Sequence, residues 1–203
     1  GSAGTRFRRG AGCRWEGGVV YGFTQTNKGN WNVCDIPRLP VTGTPTPGDY
    51  CSPFSHERES AAPGYYQVFL DRYGVDAQLS STLRCAFHKY TYPAGAAVAV
   101  LADLQRSNEH VRAWDIRKEG NNVFAGWQQT GEKMYFYAVA NRPVTGIEPV
   151  VEGDREVRIV RFGEGDGALE LRIGFSFVSE KNARENLEAE MLGKSFAEVR
   201  SEA

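Results

Sequence analysis

The sequence predicts a mainly β protein, a large antiparallel β-sandwich followed by a C-terminal linker helix. Three observations carry this. Short runs rich in aromatic and β-branched residues are separated by 23 Gly and 9 Pro, the punctuation of strands and turns. Several runs alternate apolar and polar residues with the period of two of a half-buried strand. After Ser179 the period becomes that of an amphipathic helix. A chain of 203 residues suits one sandwich domain, so residues 1–178 are read as the sandwich and 179–203 as the helical segment.

Residues 18–24 open the strand runs. The stretch 29–60 contains Pro37, Pro40, Pro45, Pro47 and Pro53 and little periodicity. It reads either as long ordered loops, which in compact domains are often functional, or as an irregular crossover between sheets. Runs 65–70 and 75–92 follow, with a hairpin turn near Tyr73-Gly74 and with Val75, Ala77 and Leu79 alternating with Asp76, Gln78 and Ser80. Further strand runs cover 96–104, 111–117, 122–129, 133–140 and 157–162. Gly163-Glu164-Gly165-Asp166-Gly167 is a loop that suits a glycine-rich sequence. It leads into 168–178, where Leu169, Leu171, Ile173, Phe175 and Phe177 fall on one face. Ala183, Leu187 and Met191 then recur at i, i+4 and i+8, Gly193 breaks the helix, and Ser195-Phe196-Ala197-Glu198 has the spacing of a capping box.

Composition excludes several classes. With 24 Lys+Arg against 25 Asp+Glu, no global charge argues for a nucleic-acid or anionic-membrane partner. No apolar run approaches the ~18–20 residues that span a bilayer. Cys13, Cys34, Cys51 and Cys85 contain no C-x-x-C pair, which is poor for zinc and too sparse for a disulfide-built fold, so buried free thiols are expected. His56 stands among carboxylates, but one His makes no site, and a hydrogen-bonding role is expected. His88 is expected at a sheet surface and His110 in a solvated turn. Trp31 differs from Trp114 and Trp127, which lie in alternating strands and are expected in the core. Its neighbours Asn30 and Asn32 are amides, and an aromatic ring in such a setting can stack on the apolar face of a sugar.

Several blocks together resemble the amino-terminal domain of the family-92 glycoside hydrolases, exo-acting α-mannosidases. The most specific runs from Phe54-Ser55-His56-Glu57 through Ala62-Pro63-Gly64-Tyr65-Tyr66-Gln67 and Tyr73-Gly74-Val75-Asp76 to Phe87-His88-Lys89-Tyr90-Thr91-Tyr92-Pro93. Tyr21-Gly22-Phe23-Thr24-Gln25-Thr26-Asn27 resembles a second block, and Lys181-Asn182-Ala183-Arg184-Glu185-Asn186 the helix that leaves the sandwich. The resemblance implies a supersandwich-like fold joined by residues 179–203 to a missing (α/α)-barrel catalytic domain. It implies inverting hydrolysis of terminal α-mannosides in mannose-containing glycans. Ca²⁺ and the acid and base carboxylates are expected in the barrel, with no catalytic or metal residue in this chain and no activity for the chain alone. Gln25, Asn27, Trp31 and Cys34 are the implied substrate-binding residues. Gln25 and Asn27 stand where the family has His and His or Asn, and amides bond sugar hydroxyls without moving protons near neutral pH. Two other readings are a non-catalytic carbohydrate-binding module with Trp31, Gln25 and Asn27 on its recognition loop, and a purely structural domain docked on a partner.

Overall fold

The computed structural model describes the backbone of residues 2–4, 17–24, 27–28, 31–165 and 167–203, and the side chains of 17–24, 33–165 and 167–203. The first half of the chain holds β1 (Ser2–Gly4), β2 (Val19–Val20), β3 (Gly22–Thr24), β4 (Asn27–Lys28), β5 (Trp31–Asn32), β6 (Arg38–Val41), β7 (Ser52–Pro53), β8 (Glu59–Ala62), β9 (Tyr65–Leu70), β10 (Val75–Ser81) and β11 (Cys85–Thr91). The second half holds β12 (Ala99–Ala102), β13 (Ala113–Lys118), β14 (Val123–Gln129), β15 (Lys133–Ala140), β16 (Val144–Glu152), β17 (Arg155–Phe162) and β18 (Leu169–Ser176). Helices α1 (Glu180–Met191) and α2 (Phe196–Glu202) complete the order. A six-stranded sheet, β1-β3-β6-β12-β17-β16, faces an eight-stranded one, β13-β14-β15-β18-β11-β10-β9-β8, and two ribbons, β2-β7 and β4-β5, lie outside them.

The alternation that predicted the strands is the alternation that builds the core. In β15, Met134, Phe136, Ala138 and Ala140 are buried between the sheets, while Lys133, Tyr135, Tyr137 and Val139 point away. Leu169, Leu171 and Ile173 of β18 do the same beside them. The eight-stranded sheet is then covered on its second face. Ala183, Leu187 and Met191 are the buried face of α1, and Leu187 and Met191 join Tyr65, Cys85, Phe87, Phe196 and Val199 in a second apolar cluster. Burial on both faces is why β11 reads without polar alternation. The predicted capping box at Ser195 and Glu198 is formed, and Ser179 caps α1.

Four details differ from expectation. The run 75–92 is two strands, turning at 82–84 without a glycine or proline. The proline-rich stretch contains β6, and Pro40 is tolerated because β6 meets β3 only at Arg38, so no partner awaits its missing N–H on that side. β16 was not expected, because it is largely exposed and contains Pro149. Phe177 lies beyond the end of β18 and is 60% exposed, so it does not extend the core face.

His88 is also not at a surface. It is fully buried between the sheets, with Nδ1 2.6 Å from the Tyr90 hydroxyl. Phe23 packs edge-on to the His88 ring and stacks on Tyr90. Arg38 is buried in the same layer, its guanidinium 5.2 Å from the centre of the Phe175 ring. Among the described residues none of its three nitrogens has a hydrogen-bond partner. Burial lowers the Arg38 pKa to about 10 and, with the Arg38 charge beside it, holds His88 well below the usual imidazole value, hence neutral.

Candidate functional site

The β4-β5 ribbon runs directly into a corner at residues 33–37. Asn27 pairs with Asn32 and Lys28 with Trp31, so the register sets Trp31 opposite Lys28 rather than opposite Asn27. Gln25 lies outside the described residues. Beyond the ribbon, Cys34 (φ 58°) and Ile36 (φ 49°) both adopt the left-handed conformation. For a β-branched residue such as Ile36 this is a true outlier. Each such residue costs about 1–3 kcal/mol and persists only where its surroundings dictate it.

The surroundings are explicit. The Ile36 N–H donates to Gln128 Oε1 at 2.7 Å, and Gln128 Nε2 donates to the carbonyls of Leu104 (2.9 Å) and Arg106 (3.0 Å). One buried amide from the eight-stranded sheet thus ties together two loops of the other sheet. Val33 O accepts from the Asn108 N–H at 2.8 Å, and the Ser107 hydroxyl lies within 2.9 Å of Val33 O and 2.8 Å of Asp35 Oδ1. Gln128→Ala leaves a buried N–H and two carbonyls short of partners. It is expected to lower unfolding stability by ~3 kcal/mol, read from urea unfolding. A loss below ~1 kcal/mol would mean that water takes over the amide's bonds.

Cys34 is fully buried and accepts from Asn108 Nδ2 at 3.4 Å. Burial first, and the Asp35 charge second, push its thiol up to about 11, with a Thr24 bond working the other way. It is therefore a neutral thiol at neutral pH and neither a nucleophile nor a ready metal ligand. Its contribution is shape: a small polarizable side chain behind the ribbon. The base of the corner is a charged layer. Asp103 Oδ2 accepts from Tyr50 OH (2.8 Å) and Arg155 Nη2 (2.7 Å), and Arg106 lies 5.9 Å from the Tyr21 ring and 5.7 Å from the Tyr50 ring. Burial raises the Asp103 pKa, with the Arg155 charge opposing it.

A second feature occupies the same end of the sandwich. Register places the β10-β11 turn, the end of β18, the start of β15 and Gln128 at one end of the eight-stranded sheet. A groove of about 510 Å³ opens there, lined by Leu83 (91% exposed), Phe177 and Val178 (76%) and by Asn182 and Asn186 of α1. In the sequence Leu83 falls within the strand run 75–92, and isolated exposed apolar residues are ordinary. Only the fold brings it beside Phe177 and Val178.

The remaining candidates are structural. His56 sits in a short 3₁₀ turn, its Nδ1 paired with Glu59, which also accepts from Tyr66 OH at 2.6 Å. His110 is exposed, Trp114 packs against the core and Trp127 is half-buried under Lys133. Cys34, Cys51 and Cys85 are free, and Cys51 is only partly buried. Cys13 lies outside the described residues. Among the described residues no three His, Cys, Asp or Glu side chains form a group that could hold a metal ion. Among the described residues no helix is long and apolar enough to cross a membrane.

Comparison with known proteins agrees with this architecture. No curated protein matches the chain. Among solved structures, it is similar to the family GH92 α-mannosidase BT3965 from Bacteroides thetaiotaomicron, with a TM-score of 0.88 and 23% identity over 99% of this chain and 33% of that one. It is similar to the GH92 glycosyl hydrolase ccman5, with a TM-score of 0.81 and 23% identity over 95% of this chain and 30% of that one. It is also similar to the GH92 inverting mannosidase BT2199 from Bacteroides thetaiotaomicron VPI-5482, with a TM-score of 0.79 and 20% identity over 100% and 29%. The chain spans about a third of the length of these proteins, and at such identities the likeness establishes the fold. The model of the glycosyl hydrolase family 92 N-terminal domain matches residues 2–184, and the chain belongs to that family.

Proposed function

We propose that this domain supplies one wall of the sugar pocket of an inverting, calcium-dependent α-mannosidase. The acid, base and Ca²⁺ would come from an (α/α)-barrel domain that packs at the same end. The carrying observation is the corner at 33–37. Two left-handed non-glycine residues, Ile36 held by Gln128 and Cys34 bonded by Asn108, fix the exit of the ribbon that carries Asn27 and Trp31. Strain held by a buried clamp is typical of sites that must be preorganised. Gln25, Asn27 and Trp31 would hydrogen-bond and stack on a terminal mannose, with the buried Cys34 shaping the floor. The groove flanked by Leu83, Phe177 and Val178 would seat the barrel, and residues 179–203 would lead to it while packed on the sheet. One similar structure, BT3965, is a complex with mannoimidazole, which favours a mannose-type substrate.

The test measures mannose release by the full reading frame and by the 203-residue chain, with calcium and with EDTA. Release is expected only from the longer protein and only with calcium. Trp31→Ala is expected to lower its kcat/KM by about tenfold, the worth of one aromatic stack at ~1.4 kcal/mol. Calcium-dependent release by this chain alone would overturn the reading. Trp31-dependent mannose binding by the chain, with no activity in the longer protein, would make it a binding module instead.

A further inference from the structure

The β4-β5 ribbon leaves the six-stranded sheet and returns to it at one neck. Thr24, the last residue of β3, precedes the ribbon, Cys34 stands two residues after it, and Phe23 pairs with Arg38 once the chain has returned. Both neck side chains are buried, and the Thr24 hydroxyl bonds the Cys34 thiol. Residues 24–37 are therefore an excursion from the β3-β6 pair, closed at its base by a bond between side chains. A non-glycine residue keeps a left-handed φ only where its surroundings dictate it, and the side-chain bonds of Cys34 include those to Thr24 and Asn108.

The β12-β13 connection grips this neck from outside. Asn108 uses both its backbone and its side chain: its N–H donates to Val33 O at 2.8 Å, and its Nδ2 donates to Cys34 Sγ at 3.4 Å. Ser107 Oγ accepts from the Glu109 N–H at 3.0 Å and keeps its one proton for Val33 O or Asp35 Oδ1. Two successive loop residues thus hold three successive corner residues. The grip is itself anchored, since the Asp103 N–H donates to Pro37 O at 3.2 Å and Gln128 Nε2 holds the Leu104 and Arg106 carbonyls. Gln128 acts on the Ile36 backbone and on two loop carbonyls at once, whereas the Asn108 side chain acts at the thiol. We infer that Asn108 is a positioning residue: through the Cys34 thiol it fixes where the ribbon, with Asn27 and Trp31, meets the sugar. This rests on the mannosidase reading above, in which the acid, base and Ca²⁺ lie on another domain. Displacing the ribbon then weakens sugar binding and leaves the reacting groups in place, so the cost falls on KM.

The experiment measures mannoside hydrolysis by the full reading frame. Asn108→Ala is expected to raise KM about tenfold and to change kcat less than about threefold. Asn108→Asp keeps the shape, loses the donor and is expected to match it, which covers a failure of the first variant to fold. Cys34→Ala is expected to raise KM to a similar extent. The double substitution should raise it no more than about twofold further, because the two side chains share one bond. A lowered kcat at unchanged KM marks a smaller folded fraction and would overturn the proposal, as would KM increases that multiply in the double variant. If the longer protein releases no mannose, the mannosidase reading fails, and the role of Asn108 is decided in the 203-residue chain. There the amides of residues 27–34 are expected to exchange at least about tenfold faster in Asn108→Ala, with those of β15 and β18 unchanged. Equal exchange in the two proteins overturns the proposal.

Discussion

Gly174→Ala is expected to destabilise the protein by about 3 kcal/mol. Gly174 lies on the outer face of β18, where α1 crosses so closely that a Cβ would stand 2.0 Å from the Ala183 carbonyl oxygen and 2.9 Å from Leu187 Cβ. The first obstacle is backbone and cannot rotate aside. Either α1 retreats or the sheet bends, and retreat uncovers Leu187 and Met191, two of the side chains that seal the second apolar cluster. Asn186 Nδ2, which donates to Phe175 O at 2.8 Å, resists that movement. Overpacking alone typically costs ~1–3 kcal/mol, and lost burial adds to it. The gain from a less flexible unfolded chain, ~0.4–1 kcal/mol, is too small to compensate. Urea unfolding followed by circular dichroism measures the effect. Gly146→Ala is the control, since nothing lies within 4 Å of its Cβ position, and it should change stability by less than ~0.5 kcal/mol. A loss below ~1 kcal/mol for Gly174→Ala would mean that α1 is loosely seated. Because Asn182 and Asn186 line the groove beside Leu83, the same substitution moves one wall of the end proposed to meet the catalytic domain.

The contrast between Gly174 and Phe177 shows what one-dimensional reading captures. Leu169, Leu171 and Ile173 announce themselves by period, because a strand facing a core repeats every two residues. Where that strand stops depends on α1 capping at Ser179, so the two residues before it, Phe177 and Val178, emerge into solvent. The helices were legible for the same reason as the strands: Ala183, Leu187 and Met191 keep a period, and the Ser195–Glu198 box is local. His88 was misplaced because both faces of β11 are covered: Phe87 packs under helices roughly a hundred residues away in sequence, which turns His88 toward Phe23 of the facing sheet. At the candidate site, Trp31 and Cys34 were marked by local setting and by resemblance. The Gln128 clamp on Ile36 was invisible, since it joins residues 92 apart through a side chain that looks ordinary in β14. Arg38 and Arg142 read as two more surface cations among the 24 Lys and Arg, although only 2% and 5% of them is exposed. Nothing local distinguishes a buried arginine from an exposed one.

Arg38 carries the second large expectation, and its sign is opposite. Arg38→Met is expected to raise the stability of the protein by about 1–4 kcal/mol, the range found when buried ionic groups give way to apolar side chains of similar length. The methionine keeps an unbranched stem in the layer beside Phe175 and removes three nitrogens that have no hydrogen-bond partner among the described residues. The pH dependence distinguishes this cause from better packing alone. Folded Arg38 titrates near pH 10 against an ordinary value of 12.5, so at neutral pH it is charged in both the folded and unfolded chain. Its cost is then full and independent of pH up to about 10, and is relieved only as pH rises above 10, where the unfolded chain binds more protons. The stability difference between Arg38→Met and wild type should therefore be flat from pH 7 to 9 and shrink above 10. His88 adds a complementary signature. It is held neutral by burial and by the Arg38 charge, so it lends stability above its ordinary value of 6.5 that is lost as pH falls below it. Removing the neighbouring cation is expected to raise the His88 pKa and soften that acid loss, which a urea series between pH 5 and 7 reads directly. If Arg38→Met instead loses 2 kcal/mol or more, the guanidinium has an ordered water or anion as partner in solution, and the buried cation is a constructive part of the core beneath the Cys34 corner.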